Sequence, residues 1–320
     1  MATGKKNRTL EIFFRGIRGE DLSPARLAAD FGVSTKSISR NMSEIKEFLA
    51  EHRELVGHSE MIYSNKNKVY RLCIDEFLSD KELFAIAKVI IGSRAFSEKD
   101  TSLIISKLKR FVSTGDRHKL NEIVRNELYH FSEIKHDCNN VTENLWALIN
   151  AIIDKKEITL SYYKADLTLN EKKVQPISLM FSEYYFYLIA YYPDQYEEPR
   201  YFRVDRIKSI IEHRKHFTTG VVPDYEEGKL RNRSQFMFYG KLRKVRFWYN
   251  GPSVQAIIDK LPTAKIIERN GKTYLLEAEV YGDGIKMFLF SQGTWVKVVA
   301  PEEFVEEIRN TTKEIADLYK

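Results

Sequence analysis

Residues 22–52 read LSPARLAADFGVSTKSISRNMSEIKEFLAEH, and this stretch limits what the chain can fold into more than any other. Pro24 stands behind the hydroxyl of Ser23, at the first helical position, where a missing N–H costs nothing. Leu27, Ala28 and Phe31 share a face at helical spacing, and Gly32 closes that helix. Ser34 then caps a second helix whose buried face is predicted to be Ile38, Met42, Ile45 and Leu49. Thr35, Lys36, Ser37, Ser39 and Arg40 occupy its N-terminal half and point away from that face, Ser37 lying nearest to it. The competing reading of the spacing alone is an ordinary helical hairpin.

Small hydroxyls and cations on the free N-terminal face of a second helix suit a DNA major groove. There Arg, Ser and Thr reach base edges while helix N–H groups meet phosphate. Met61–Tyr63 and Val69–Leu72 favour strands and flank Ser64-Asn65-Lys66-Asn67-Lys68, a hairpin whose tip carries Lys66 and Lys68. Leu10, Phe13, Phe14 and Ile17, with Ile12, predict a preceding helix. Residues 5–72 resemble a winged helix-turn-helix, and VSTKSISRNMSEIK resembles the recognition helix of the DeoR-like group. Where that group often carries Arg-Asp, this chain reads Arg40-Asn41, which removes one carboxylate and keeps the groove-reading role.

A chain of 320 residues exceeds one typical core, so two or three domains are expected. Lys plus Arg number 51 against 45 Asp plus Glu, a balance of +6 that agrees with nucleic-acid binding without requiring it. Cys73 and Cys138 are isolated, which points to a reducing, cytoplasmic setting. The opening MATGKKNRTLEIF lacks the apolar stretch of a signal peptide. The densest apolar run, Tyr184–Tyr192, is roughly half a membrane span and reads as a strand, so no membrane partner is expected.

Ser79-Asp80-Lys81-Glu82 opens a helix with Leu83, Phe84, Ile86, Ala87 and Ile90 as its apolar face. Thr101–Val112, Asp116–Phe131 and Thr142–Ile153 are further helices, the last with Leu145, Ile149 and Ile152 inward. Those between 79 and 131 are expected to form either a linker and dimerisation layer or a plain spacer, with a break at His136–Asn140.

From Glu157 the period changes to alternation. Residues 158–163, 172–181, 183–192, 200–204 and 207–214 are five strand candidates, which suggests a bent antiparallel barrel closed on itself. Phe186-Tyr187-Leu188 stands where a Trp-Tyr-Leu triplet names the WYL domain. Gln175-Pro176-Ile177 matches that family's preceding strand, and Phe202-Arg203-Val204-Asp205-Arg206-Ile207 matches its FR-x-DRI signature. Phe186 keeps the aromatic anchor but loses the indole N–H. The resemblance implies an Sm-like five-stranded β-barrel and a ligand-sensing role.

The residues support such a role independently. Tyr162, Tyr187, Arg200, Arg203 and Arg206 bring guanidinium forks and phenols onto neighbouring strands, a set suited to a nucleotide or short single-stranded nucleic acid. The competing reading makes Arg203 and Arg206 structural partners of Asp205, Glu183 or Glu212. Among the tyrosines at 184, 185, 187, 191 and 192, only Tyr187 is singled out by its motif position.

Residues 241–320 read strand, helix, two strands paired across Asn270-Gly271, helix, strand and a last helix opened by Pro301-Glu302-Glu303. That order predicts a ferredoxin-like α/β sandwich. It is similar to the extension that accompanies WYL domains, with Gln292-Gly293-Thr294-Trp295-Val296 and Val299-Ala300-Pro301-Glu302 in the matching places.

No enzyme is expected. Gly282-Asp283-Gly284 is too short for a phosphate loop. His213 and His216 read as a strand end rather than a metal site, and His136-Asp137-Cys138 are sequence neighbours that do not form a triad. The sequence therefore predicts an α+β multidomain chain without cofactor or metal. Residues 1–75 are the winged helix-turn-helix and 76–140 the helical linker or dimerisation region. Residues 141–218 are the WYL domain and 219–320 its C-terminal extension. The expected function is a homodimeric, bacterial-type transcription regulator that binds a double-stranded DNA operator and responds to a nucleotide or short nucleic-acid effector. The resemblance implies phage-defence or DNA-damage gene control. The alternative is an RNA- or ssDNA-binding accessory of a nuclease or defence complex.

Overall fold

A computed structural model describes residues 5–74, 78–112, 116–129, 131–135, 140–193, 195–217, 232–234, 236–238 and 240–320. His136, Asp137, Cys138 and Asn139, and with them the expected domain break, lie outside the described residues. The chain divides into two compact units, residues 1–135 and 136–320.

The first unit begins with α1 (Lys5–Ile17), α2 (Pro24–Phe31), α3 (Thr35–Glu51) and the short α4 (Arg53–Val56), followed by the hairpin of β1 (Glu60–Ser64) and β2 (Val69–Cys73). Ser23 and Ser34 cap α2 and α3 through backbone N–H groups three residues on. Gly32 takes the left-handed conformation between the helices, φ 63°, which a Cβ would disfavour. Ile38, Met42, Ile45 and Leu49 are buried with Ile12, Leu22, Leu27 and Met61. On α1 the inward residue is Ile12, whereas Leu10 and Phe14 are 57 and 58% exposed. Leu22 exchanges two main-chain hydrogen bonds of 2.9 Å with Tyr70, so the hairpin is laced to the segment entering α2. Next come α5 (Asp80–Ser93), α6 (Glu98–Leu108) and α7 (Arg117–Tyr129), which close over Leu83, Ala87, Ile91, Ile105, Leu120 and Val124. Ser79 and Glu82 complete a reciprocal cap on α5.

The second unit opens with α8 (Val141–Ile153). It lies on a five-stranded antiparallel sheet of β3 (Lys156–Tyr163), β4 (Leu169–Ser182), β5 (Tyr185–Tyr192), β6 (Gln195–Arg203) and β7 (Ile207–His216). The strand order is β6-β5-β4-β3-β7, and bulges at Pro176/Ser178, Ala190/Tyr192 and Ser161/Tyr162 bend it. Among the described residues no ladder joins β6 to β7, so the sheet is curled rather than closed by hydrogen bonds. A one-turn 3-10 helix, Val204–Arg206, separates these two edges. The inward face of α8 is Val141, Asn144, Leu148 and Ala151, not Leu145, Ile149 and Ile152. Asn144 turns inward because its amide donates to the carbonyls of Ile207 (2.8 Å) and Val204 (3.4 Å), and small Ala151 admits the sheet.

The remaining strands, β8 (Leu242–Tyr249), β9 (Lys265–Asn270), β10 (Thr273–Tyr281) and β11 (Val296–Ala300), form an antiparallel sheet in the order β11-β8-β10-β9. Helices Val254–Lys260, Gly284–Ser291 and Glu302–Asp317 alternate with them, and Phe247, Leu276, Ile285 and Phe304 fill the core. The β9–β10 turn is Gly271-Lys272, with Gly271 at φ 60°. The five-stranded sheet meets the rest of this unit through Glu183 to Lys260 (2.8 Å), Tyr201 to Ser234 (2.6 Å), and an apolar cluster of Met180 and Ile189 with Tyr201, Met237 and Tyr281. The mixed α/β, multi-sheet architecture agrees with the expectation. Among the described residues no helix is long and apolar enough to cross a membrane.

Candidate functional site

The N-terminal half of α3 presents one continuous polar face. Thr35, Lys36, Ser39 and Arg40 are exposed and Ser37 is half-buried beside Ser34, their hydroxyls 3.1 Å apart. The Ser39 hydroxyl donates to the Thr35 carbonyl at 3.0 Å, which leaves its lone pairs outward. What fixes this face is Asn41, completely buried between α1 and α3. Arg8 Nε donates to its Oδ1 at 2.8 Å, and its amide donates to Thr9 Oγ1 at 2.6 Å. The missing carboxylate is thus replaced by a neutral amide that pins α3 to α1. No charge at this position could be so deeply buried without a full partner.

Beside α3, the hairpin tip Asn65-Lys66-Asn67-Lys68 carries two exposed lysines. Lys68 takes φ 54° and its N–H donates to the Ser64 carbonyl at 2.8 Å. Lys46 of α3 lies 4.8 Å over the Tyr70 ring, and Arg71 pairs with Asp21 at 2.6 Å. Hairpin, α3 and the entry to α2 therefore form one braced block bearing cations on α3 and at the tip.

In the second unit, Tyr162, Tyr187, Arg203 and Arg206 come together on β3, β5, β6 and the 3-10 turn. Tyr187 pairs with Arg203 across the ladder, and the Arg203 main-chain N–H donates to the Tyr162 hydroxyl at 3.2 Å. Burial pushes both phenols above their ordinary pKa, while at Tyr162 the Arg203 N–H and the Arg206 guanidinium pull the other way. Arg203 is already engaged: Nε and Nη2 meet the two Asp205 oxygens at 3.0 and 2.6 Å. Its guanidinium also lies 3.5 Å from the Tyr185 ring centroid. Burial lowers the Arg203 pKa but the Asp205 hydrogen bond and charge outweigh it, so the net shift is upward. Asp205 is thus a partner of Arg203.

Arg200 lies over a further ring. It shares the Tyr192 ring with Lys172, each cation 5.9 Å from the centroid. Phe202 bridges the two groups, 6.3 Å from Tyr192 and 5.3 Å from Tyr162, both edge-on. The outcome is a strip of alternating rings and cations. Three of its members, Tyr185, Lys172 and Tyr192, are not singled out by the sequence. Tyr185 alone leaves a signal, standing two residues before Tyr187 on the same strand face.

A further buried charge has no sequence signal at all. Glu157 on β3 is fully buried, with Lys173 at 2.9 Å, Lys215 at 3.0 Å and the Gln175 amide at 3.1 Å. Burial pushes its pKa up, but Lys173, Gln175 and Lys215 prevail and bring it down to about 2. His213 and His216 face different groups, the Thr159 hydroxyl (2.8 Å) and the Asp154 carbonyl (2.7 Å).

Residues 143–211 match the WYL domain family, a span that includes Tyr162, Tyr187, Arg200, Arg203 and Arg206. The chain carries a WYL domain. No curated protein matches the chain. Among solved structures it is similar to proteasome accessory factor B/C (PafBC) of Arthrobacter aurescens, with 15% identity and a TM-score of 0.32. That similarity covers 95% of this chain and 47% of the other, so this chain spans about half the length of that protein. It is also similar to a CRISPR Cas-related protein, at 14% identity and a TM-score of 0.38, over 77% of this chain and 75% of that one.

Proposed function

We propose that this chain is a DNA-binding transcription regulator that acts as a homodimer, and that its WYL domain senses a negatively charged ligand of nucleotide or nucleic-acid origin. The observation that carries the reading is the exposed row Thr35, Lys36, Ser39 and Arg40 on a helix locked to its core by Ile38, Asn41 and Met42. A helix N-terminus with hydroxyls and cations offers donors to base edges and to phosphate. The neighbouring lysines at 66 and 68 supply sequence-independent contacts, as a wing does. The reading assigns residues 1–75 to a winged helix-turn-helix, 76–140 to a helical connector, 141–218 to the Sm-like WYL barrel and 219–320 to a ferredoxin-like extension. The orders β6-β5-β4-β3-β7 and β11-β8-β10-β9 support the last two. No chemical step is part of this reading.

For the ligand, the cation–ring strip favours an anion with a planar part, because guanidinium binds phosphate by a fork and rings stack on bases. The same strip supports a second reading, an accessory protein for RNA or single-stranded DNA, since stacking is tolerant of base sequence. The discriminating experiment is selection of bound genomic fragments by the purified chain, with and without nucleotides and oligonucleotides. Enrichment of a palindromic duplex, altered by one additive, supports the regulator. Preference for single strands over every duplex transfers the chain to the second class.

A further inference from the structure

We propose that the first unit holds a ligand site of its own, a pocket between the ends of α1 and β2 and helices α5 and α6, which takes a small apolar molecule without negative charge. It stands whether or not the WYL domain senses an anion, because it uses other residues and the opposite charge. The pocket measures about 770 Å³ and is lined by Ile17 of α1, Leu72 and Cys73 of β2, Leu83 of α5 and Leu108 of α6. Leu78 and Phe111, also in its wall, are 51 and 62% exposed. Small-molecule sites have volumes of about 300–1,000 Å³ and walls that are mostly apolar with a few polar groups.

The position of the pocket follows from the packing. The apolar residues of this unit form two clusters. One, around Ile12, Leu22 and Met42, takes Leu72 at its margin, and the other, around Leu83, Ile91 and Ile105, takes Leu108. The pocket is the space between those margins, where the wall atoms lack the contacts that a close-packed interior supplies. Its α1 side is fixed in place. A Cβ on Gly16 would stand 3.1 Å from Leu72 Cβ and Cδ2 and 3.3 Å from Leu22 Cδ1, so a glycine there is what lets Leu72 lie against the end of α1. A molecule in the pocket restores the missing contacts and ties α1 and the hairpin to α5 and α6.

Charge decides between classes of ligand. Among the described lining residues the charged ones are Asp80 and Glu82, with no lysine, arginine or histidine. Glu82 is fixed by the α5 cap, accepting from the Ser79 hydroxyl at 2.7 Å and the Ser79 N–H at 2.8 Å. Those two bonds hold its pKa below the ordinary carboxylate value, so it is ionised at neutral pH. An anion would shed its water here to meet like charge, whereas an uncharged apolar molecule gains by leaving water.

The test uses the full chain with two environment-sensitive dyes, uncharged prodan and anionic anilinonaphthalene sulfonate. Prodan should bind with a rise in emission that the sulfonate does not reverse. At ten times its dissociation constant it should slow alkylation of Cys73 by N-ethylmaleimide about tenfold, the ratio by which bound chain then exceeds free. Peptide mass spectrometry reads that rate at Cys73 alone. Cys73 is exposed, and Cys73→Trp, which puts a ring into the pocket, should weaken prodan by about tenfold or more. Val89→Trp, on the 70% exposed position of α5 outside the lining, should leave prodan binding unchanged. Failure of prodan to bind overturns the proposal, as does binding that leaves Cys73 alkylation unchanged. Displacement of prodan by the sulfonate at equal strength overturns it too, since the pocket would then accept anions.

Discussion

Arg203 and Asp205, two residues apart where β6 meets the 3-10 turn, grip each other through two hydrogen bonds while the carboxylate is only 3% exposed. A guanidinium held at its edge by Asp205 and on one face by Tyr185 is a structural member first. Arg203→Ala should therefore lower the melting temperature, because it removes a two-pronged contact to a carboxylate that is almost wholly buried. Thermal melting checks this. A variant that melts with the native chain would show Asp205 to be reached by water or another cation.

Arg200 and Lys172 lie at the half-exposed end of the same strip. Arg200→Ala and Lys172→Ala should leave the melting temperature within the small range of surface substitutions, about 0.5 kcal/mol. Both should weaken binding of a fluorescent oligonucleotide to the isolated full chain. Unchanged affinity in the double variant would remove this end of the strip from the ligand site.

On α3, Arg40→Ala should cost about 1–3 kcal/mol of duplex affinity and relax preference at one base position. Lys66→Ala and Lys68→Ala should weaken all duplexes alike and lower the salt slope by about one each. Titrations at three salt concentrations separate the two behaviours.

Asn41→Ala should destabilise the first unit by about 1–3 kcal/mol, because Arg8 and Thr9 lose their shared buried partner. Urea unfolding measures it. Equal midpoints for native and variant chains would mean that water fills the gap at no cost.

For Glu157 the folded-state pKa lies below the unfolded value of 4.5, at about 2. Its contribution is therefore complete above about pH 4.5 and is lost as the pH falls toward 2. Glu157→Gln should flatten the melting-temperature profile across that window while lowering it at neutral pH. A profile with the native slope below pH 4.5 would assign the acid sensitivity to other carboxylates.

Local chemistry made much of this legible. Ser23, Pro24, Gly32 and Ser34 bound α2 and α3 because caps and turns act over three or four residues, and the structure uses each of them in that role. The alternation from Glu157 onward likewise marks the strands. Long-range partners were not legible. On α8 nine of thirteen positions are apolar and they run around the helix, so periodicity could not choose a face, and the choice fell to the Asn144 amide and its carbonyl partners 60 and 63 residues away. Glu157 looks like a strand-edge acid until β4 and β7 bring Lys173 and Lys215 to it. On α1, Ile12 took the core position because Leu10 and Phe14 fall on the other side of the helix.

The two main-chain bonds between Leu22 and Tyr70 turn the first unit into a ruler. Because they tie the hairpin to the segment that starts α2, and α2 is joined to α3 by a three-residue turn, the span from Lys66 and Lys68 to Arg40 is set by backbone geometry. Any long polyanion touching both ends must present its charges at that one interval. A change in the interval would require the Leu22–Tyr70 bridge to open, so amide exchange at those two positions reports directly on whether the gauge is held.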